Sequence, residues 1–231
     1  MGNLEDVLVG SHDLEKVEKE KYLGDIVSVD GRNTKNSARK GNNIGITNQI
    51  NSILQDICFG PYYFEVALVL RESLFLSSLL VNSEAWYGVN EEEKRELEKQ
   101  DEKLLRKILE CPSNSPKCML YLETGCKPIR FLIMKRQLMF LHYILKEKKD
   151  SLISRFFEAQ AKNPGKNDWV TTVREHLEYL EIHLDFDQIE MATDFQFRNL
   201  VEKAVEKKCL EYLTEEKIRK NKVKHIQHSN L

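Results

Sequence analysis

Glycine and proline are scarce in this chain, at 10 and 5 of 231 residues, which excludes collagen-like and strongly disordered classes. Cysteine is sparse and unpatterned: Cys58, Cys111, Cys118, Cys126 and Cys209 are an odd number with no C-x-x-C pair. A structural zinc site needs four soft ligands converging tetrahedrally, usually from two closely spaced pairs. Cys111, Cys118 and Cys126, with His142 beyond them, lack that spacing, so free and partly buried thiols are the better reading. No apolar run reaches the ~18 residues a bilayer span requires. The most apolar stretch, residues 66–81, is interrupted by Arg71 and Glu72, which predicts a buried helix. The opening MGNLEDVLVG lacks the basic and apolar regions of a signal peptide, and Asp6 stands where a myristoylation motif wants Ser or Thr. The expectation is an intracellular protein, nuclear or cytoplasmic, neither secreted nor membrane-bound.

Catalytic motifs are missing too. There is no Gly-rich phosphate loop, no G-x-S-x-G elbow and no H-E-x-x-H. Of six histidines, His12, His225 and His228 lie in charged or terminal segments, while His176 and His183 flank a helix end. His142 sits on an apolar helix and reads as a satisfied core histidine rather than a ligand or base. Asp185 and Asp187 precede a helix start, where a capping role is favoured over metal binding.

What is present is helical periodicity. Residues 6–9 and 21–29 carry short runs of β-formers, the second ending in the turn signal Asp30-Gly31. Strands this short need a partner surface to be stable. From Arg32 onward, Ile46, Ile50, Ile53 and Ile57 recur at three or four residues and predict a helix from about Asn36 to Cys58. Gly60-Pro61 punctuates, and an apolar helix follows through Phe64, Leu68, Leu74, Phe75 and Leu79. Asn90 caps an acidic first turn, Glu91 to Glu93, of a helix that stops before Pro112. A short turn covers Cys118 to Leu122, and Pro128 opens a long helix whose apolar residues nearly encircle it, predicting a central position. Further helices cover 152–161 and 169–180, with Asn163-Pro164-Gly165 as the candidate linker. Thr193 and Gln196 have capping-box spacing at the head of a last helix that is expected to dissolve into the basic stretch Lys217 to Lys224. The fold class is mostly α: a small N-terminal β element, strand or hairpin, followed by a multi-helix bundle.

Net charge is −2, but its distribution says more. Arg32, Lys35, Arg39 and Lys40 form a basic run without an intervening acid. Lys127, Arg130, Lys135, Arg136, Lys146, Lys148 and Lys149 decorate one helix, opposed along it by Glu147 alone. Residues 84–102 hold eight acids and three bases. Such segregation gives basic patches that attract phosphates, or else simply solvated helix faces.

Lys21-Tyr22-Leu23-Gly24, followed by Asp25-Ile26-Val27 and a basic helical start, resembles the end of the reverse transcriptase domain of non-LTR (LINE-type) retrotransposons. The resemblance continues through Gly60-Pro61-Tyr62-Tyr63, Leu70-Arg71-Glu72-Ser73, residues 82–88 (NSEAWYG), 104–109 (LLRKIL), 119–123 (MLYLE) and 128–136, in the family's order. It implies a residual palm and primer-grip β element at 1–31 and a thumb-like helical bundle at 32–111. Post-thumb helices would follow at 112–163, then a C-terminal helical linker region with a basic tail at 164–231. Tyr22, Leu23 and Gly24 would face the primer end, where glycine lets a backbone approach closely. Arg32, Lys35, Arg39, Lys40, Asn43, Asn48, Lys127, Arg130, Lys135 and Arg136 are the candidate contacts to nucleic-acid backbone. The aromatic-x-Asp-Asp turn that holds the family's two metal ions is absent, as is any Asp-Asp pair. The chain is therefore expected to be a non-catalytic fragment with no cofactor of its own, magnesium belonging to the missing palm. The implied partners are RNA or an RNA–DNA hybrid, and the missing polymerase portion. Trp86 and Tyr87 read as core rather than base-stacking residues. The alternative function is a helical protein–protein interaction module without a nucleic-acid role, in keeping with an isoelectric point near 6.3.

Overall fold

The computed structural model describes the backbone of residues 8–9, 12–13, 19–22, 25–28, 36–57, 60, 62–147, 151–163, 165 and 168–229, and the side chains of 44–56, 60, 62–147, 151–163, 165 and 168–219. Two compact units divide the chain, residues 1–35 and 36–231. In the first, β1 (Leu8–Val9) pairs antiparallel with β2 (His12–Asp13). Likewise β3 (Lys19–Tyr22) pairs with β4 (Asp25–Ser28), placing Tyr22 opposite Asp25. The described part of the second unit is helical throughout its regular elements.

The isoleucine-rich helix forms as α1 (Asn36–Ile57). Its buried stripe is Ile50 and Leu54, with Ile46 partly covered. Ile53 is 38 % exposed, so the packed face is rotated from the expected one. Spacings of three and four from Ile50 share one helix face, and the neighbouring α-helical hairpin selects the Leu54 side.

The apolar run becomes α2 (Tyr63–Leu70), a π-helical segment (Arg71–Leu76) and α3 (Ser77–Leu79). Arg71 does not interrupt burial here: it is 1 % exposed. Its Nε and second guanidinium nitrogen donate to Asp101 Oδ1 and Oδ2 at 2.7 and 2.6 Å, and Tyr121 Oη donates to Oδ2 at 3.2 Å. A guanidinium can be buried when a carboxylate matches its fork geometry. The π segment, with one extra residue in its turn, is where Arg71 starts.

After a 3-10 turn (Ser83–Ala85), α4 (Glu91–Ile108) begins at Asn90 with both halves of a capping box. Glu93 N donates to Asn90 Oδ1 at 2.9 Å, and Asn90 N to Glu93 Oε2 at 3.0 Å. Leu97, Leu104, Leu105 and Ile108 face the core. The short α5 (Lys117–Thr124) ends at Gly125, whose φ of 66° is the left-handed conformation that closes helices and that glycine adopts without a Cβ penalty.

Pro128 sits at the N-cap of α6 (Ile129–Lys146). This helix touches α4, the 3-10 turn, α7 (Leu152–Lys162), α8 (Trp169–Tyr179), α9 (Phe186–Met191) and α10 (Asp194–Ser229), the central position its encircling apolar residues predict. Ser151, Asp168 and Asp185 cap α7, α8 and α9 through their side chains. The Thr193–Gln196 pair forms its capping box at the head of α10. That helix buries Phe197, Val201, Val205, Cys209 and Leu213 at a period of four, and its backbone stays helical through the basic stretch to Ser229. Among the described residues, no helix is long and apolar enough to cross a membrane.

Candidate nucleic-acid interface

A groove of about 240 Å3 runs between α1 and α4. Ile44, Thr47 and Asn48 line one wall, Phe75 the floor, and Lys99, Lys103 and Lys107, together with Glu96 and Gln100, the other wall. The three lysines lie four residues apart on one helix, which spaces them about 6 Å along its axis. Lys99 Nζ is 2.5 Å from Glu96 Oε1. Lys103 and Lys107 are exposed and make no ion pair among the described residues. Two ammonium groups over a part-apolar trough can take phosphate oxygens, while Asn48, exposed on the facing helix, offers an amide donor. Lys107 also lies in the last turn of α4, where a cation suits the helix dipole whether or not anything binds.

Of the ten expected backbone contacts, Asn48 is the one that lies in this groove with its side chain described. Arg39, Lys40 and Asn43 are on α1, but their side chains fall outside the described residues, as does that of Tyr22. Leu23, Gly24, Arg32 and Lys35 lie outside them altogether.

The cations on α6 and just before it are differently placed. Lys127 reaches Glu206 at 3.4 Å, Lys135 reaches Glu202 at 2.6 Å, and Lys146 reaches Asp194 at 3.0 Å, all on or heading α10. Arg130 Nε donates to Glu98 Oε1 at 2.6 Å and its second terminal nitrogen to Oε2 at 3.1 Å, a bidentate pair with α4. The Arg130 guanidinium also lies 5.0 Å from the centre of the Tyr212 ring. Arg136 donates to the Leu80 carbonyl at 2.6 Å and to Ser83 Oγ at 3.3 Å. Along the sequence Glu147 alone opposed this set. In space, acids from α4 and α10 and a carbonyl of the preceding loop do so.

Sequence blocks far apart in the chain meet at these joints. Arg71 and Tyr121 share Asp101, and Arg136 holds the Leu80–Ser83 turn. Trp169 Nε1 donates to Glu84 O at 2.8 Å, and Gln137 Nε2 to Trp86 O at 2.5 Å. Trp86 is 2 % exposed, the core placement its surroundings predict, and Tyr87 is half-buried. His142 is buried with Nε2 at 3.0 Å from Ala192 O and its ring stacked on Phe197, the satisfied core histidine expected of it. Cys111, Cys118, Cys126 and Cys209 are free thiols, and burial pushes the Cys209 thiol up to about 11. Among the described residues no three His, Cys, Asp or Glu side chains converge as metal ligands.

Lys99, Lys103 and Lys107 are obscured in the sequence because they sit at the edge of a strongly acidic stretch. Their spacing of four was the available signal. No family model, no curated protein and no solved structure matches this chain.

Proposed function

We propose that this protein is the thumb and linker portion of a LINE-type retrotransposon reverse transcriptase, a helical module that grips the backbone of RNA or an RNA–DNA hybrid and carries no polymerase chemistry of its own. The observation that carries the reading is the α1–α4 groove, where Lys103 and Lys107 stand exposed without acid partners among the described residues, opposite Asn48 on the helix whose earlier turns include Arg39, Lys40 and Asn43. The ordered sequence blocks from Lys21-Tyr22-Leu23-Gly24 to Arg136 support it. In this reading residues 1–31 are the remnant of a primer-grip β element, with Tyr22 to Gly24 toward the primer end. Magnesium belongs to a palm supplied elsewhere.

Fluorescence anisotropy with a short RNA–DNA hybrid tests it. Affinity is expected to fall steeply between about 50 and 200 mM salt, and the double variant Lys103→Glu, Lys107→Glu to lower affinity about tenfold or more and flatten the salt slope. Binding that is absent, or indifferent to salt, overturns the reading. The pairing of Lys127, Arg130 and Lys135 to acids of this same chain favours the second reading, a helical protein–protein module. An intact fold with no hybrid binding at low salt is the outcome that module predicts.

A further inference from the structure

Between α6, α8 and the segment 86–90 that leads into α4 lies a cavity of about 280 Å3. Trp86, Val89, Ile133 and Met134 give it apolar walls, and His176, Gln137 and Lys94 supply polar ones. A short hydrogen-bond relay sets its chemistry. Gln137 Nε2 donates to Trp86 O at 2.5 Å, so the other amide atom, Oε1, can only accept. Oε1 lies 2.7 Å from His176 Nε2, and that nitrogen must therefore carry the ring proton. His176 Nδ1 is left with a bare lone pair and no hydrogen-bond partner among the described residues, on a side chain only 7 % exposed. Burial, and then the nearby Lys94 ammonium, push the imidazole down to about 4, so it is neutral at physiological pH and can only accept at Nδ1.

The cations at this end of the cavity are already matched. Lys94 Nζ lies 2.9 Å from Glu91 Oε1, and Arg130 is held by Glu98. A phosphate or dicarboxylate would have to compete with those glutamates, whereas a neutral ligand would not. The remaining requirement is an apolar face against the apolar walls together with N–H donors, since Glu175, Thr171 and Thr172 line the same cavity as His176 and can also accept. We propose that this cavity binds a neutral, planar, N–H-bearing heterocycle of the nucleobase class, free or as its nucleoside, which donates to His176 Nδ1. The volume, just under the range that holds drug-sized ligands, suits a ligand of that size. This site is separate from the lysine groove and does not depend on backbone binding there.

The test is ligand-observed NMR with the full chain and adenosine, guanosine, cytidine and uridine as separate probes. At least one is expected to bind saturably with Kd below about 1 mM. Methylating the donor nitrogen of that base is expected to weaken binding about tenfold, and His176→Leu to do the same. Val89→Trp, which narrows the cavity from its loop side, is expected to abolish it. The methylated base keeps the test decisive if His176→Leu fails to fold. The proposal is overturned if no nucleoside binds, if the methylated base binds as tightly as its parent, or if Val89→Trp leaves affinity unchanged in a folded protein.

Discussion

Along the sequence the cations of α6 are nearly unopposed and those of α4 sit beside acids, yet in space the contrast reverses at Lys103 and Lys107. On α6 and just before it, Lys127, Arg130, Lys135 and Lys146 each face an acid brought from another element, and Arg136 holds a backbone carbonyl. On α4, Lys103 and Lys107 point to an open groove without such a partner among the described residues. A density of positive residues along one helix therefore does not measure the charge available to a ligand. That depends on which acids the fold places opposite, and α10, with Glu202 and Glu206, takes up much of α6's charge.

The most severe test of the contrast is at the fully buried end of the scale. Asp101→Asn leaves the Arg71 guanidinium buried with a neutral partner, and about 3–5 kcal/mol of stability is expected to disappear in urea unfolding. His176 represents the opposite solution, a titratable group kept uncharged. Its folded-state pKa, pushed down to about 4 from 6.5, means the unfolded chain binds more protons between those values. The stability it contributes is fully present above pH 6.5 and is lost as pH falls toward 4, up to about 3 kcal/mol. Denaturant midpoints measured across that window in wild type and His176→Phe would differ in slope, and equal slopes would refute the assignment. Glu98→Gln removes one charge from a mostly buried bidentate pair, for an expected loss of about 2 kcal/mol. The smallest effect sharpens the comparison most directly. Glu202→Gln with Glu206→Gln is expected to leave the denaturant midpoint nearly unchanged, since both glutamates are largely in solvent, yet frees Lys135 and Lys127. If hybrid affinity then rises, pairing was what withheld them. An unchanged affinity would restrict binding to the α4 groove.

Much of the helical framework was legible in the sequence because its signals are local. Asn90, Asp185 and Thr193 each act within three residues of themselves: Asn90 and Asp185 cap their helices as expected, and the Thr193–Gln196 spacing forms its capping box. The central place of α6 was legible from its encircling apolar residues. What could not be read is everything set by partners distant in the chain. Arg71 looked like a break in an apolar helix because Asp101 is 30 residues away. The stripe on α1 turned from Ile53 to Leu54 because the neighbouring hairpin, not the period, chose the face. The lysine groove is hidden in the sequence because Lys99, Lys103 and Lys107 close or follow a strongly acidic segment, one of whose acids, Glu96, lines the same groove and pairs with Lys99.

The π segment at Arg71–Leu76 has a consequence for how this chain tolerates length changes. An added residue in a helical turn advances everything after it by about 100° around the axis. Deleting one residue between Arg71 and Leu76 would let the segment relax to ordinary α geometry, and the following Leu79–Ser83 stretch would swing away from the Arg136 guanidinium that clasps it. The extra residue behaves as a built-in phase adjustment, and a one-residue deletion there should harm the fold more than most single substitutions along the same helix.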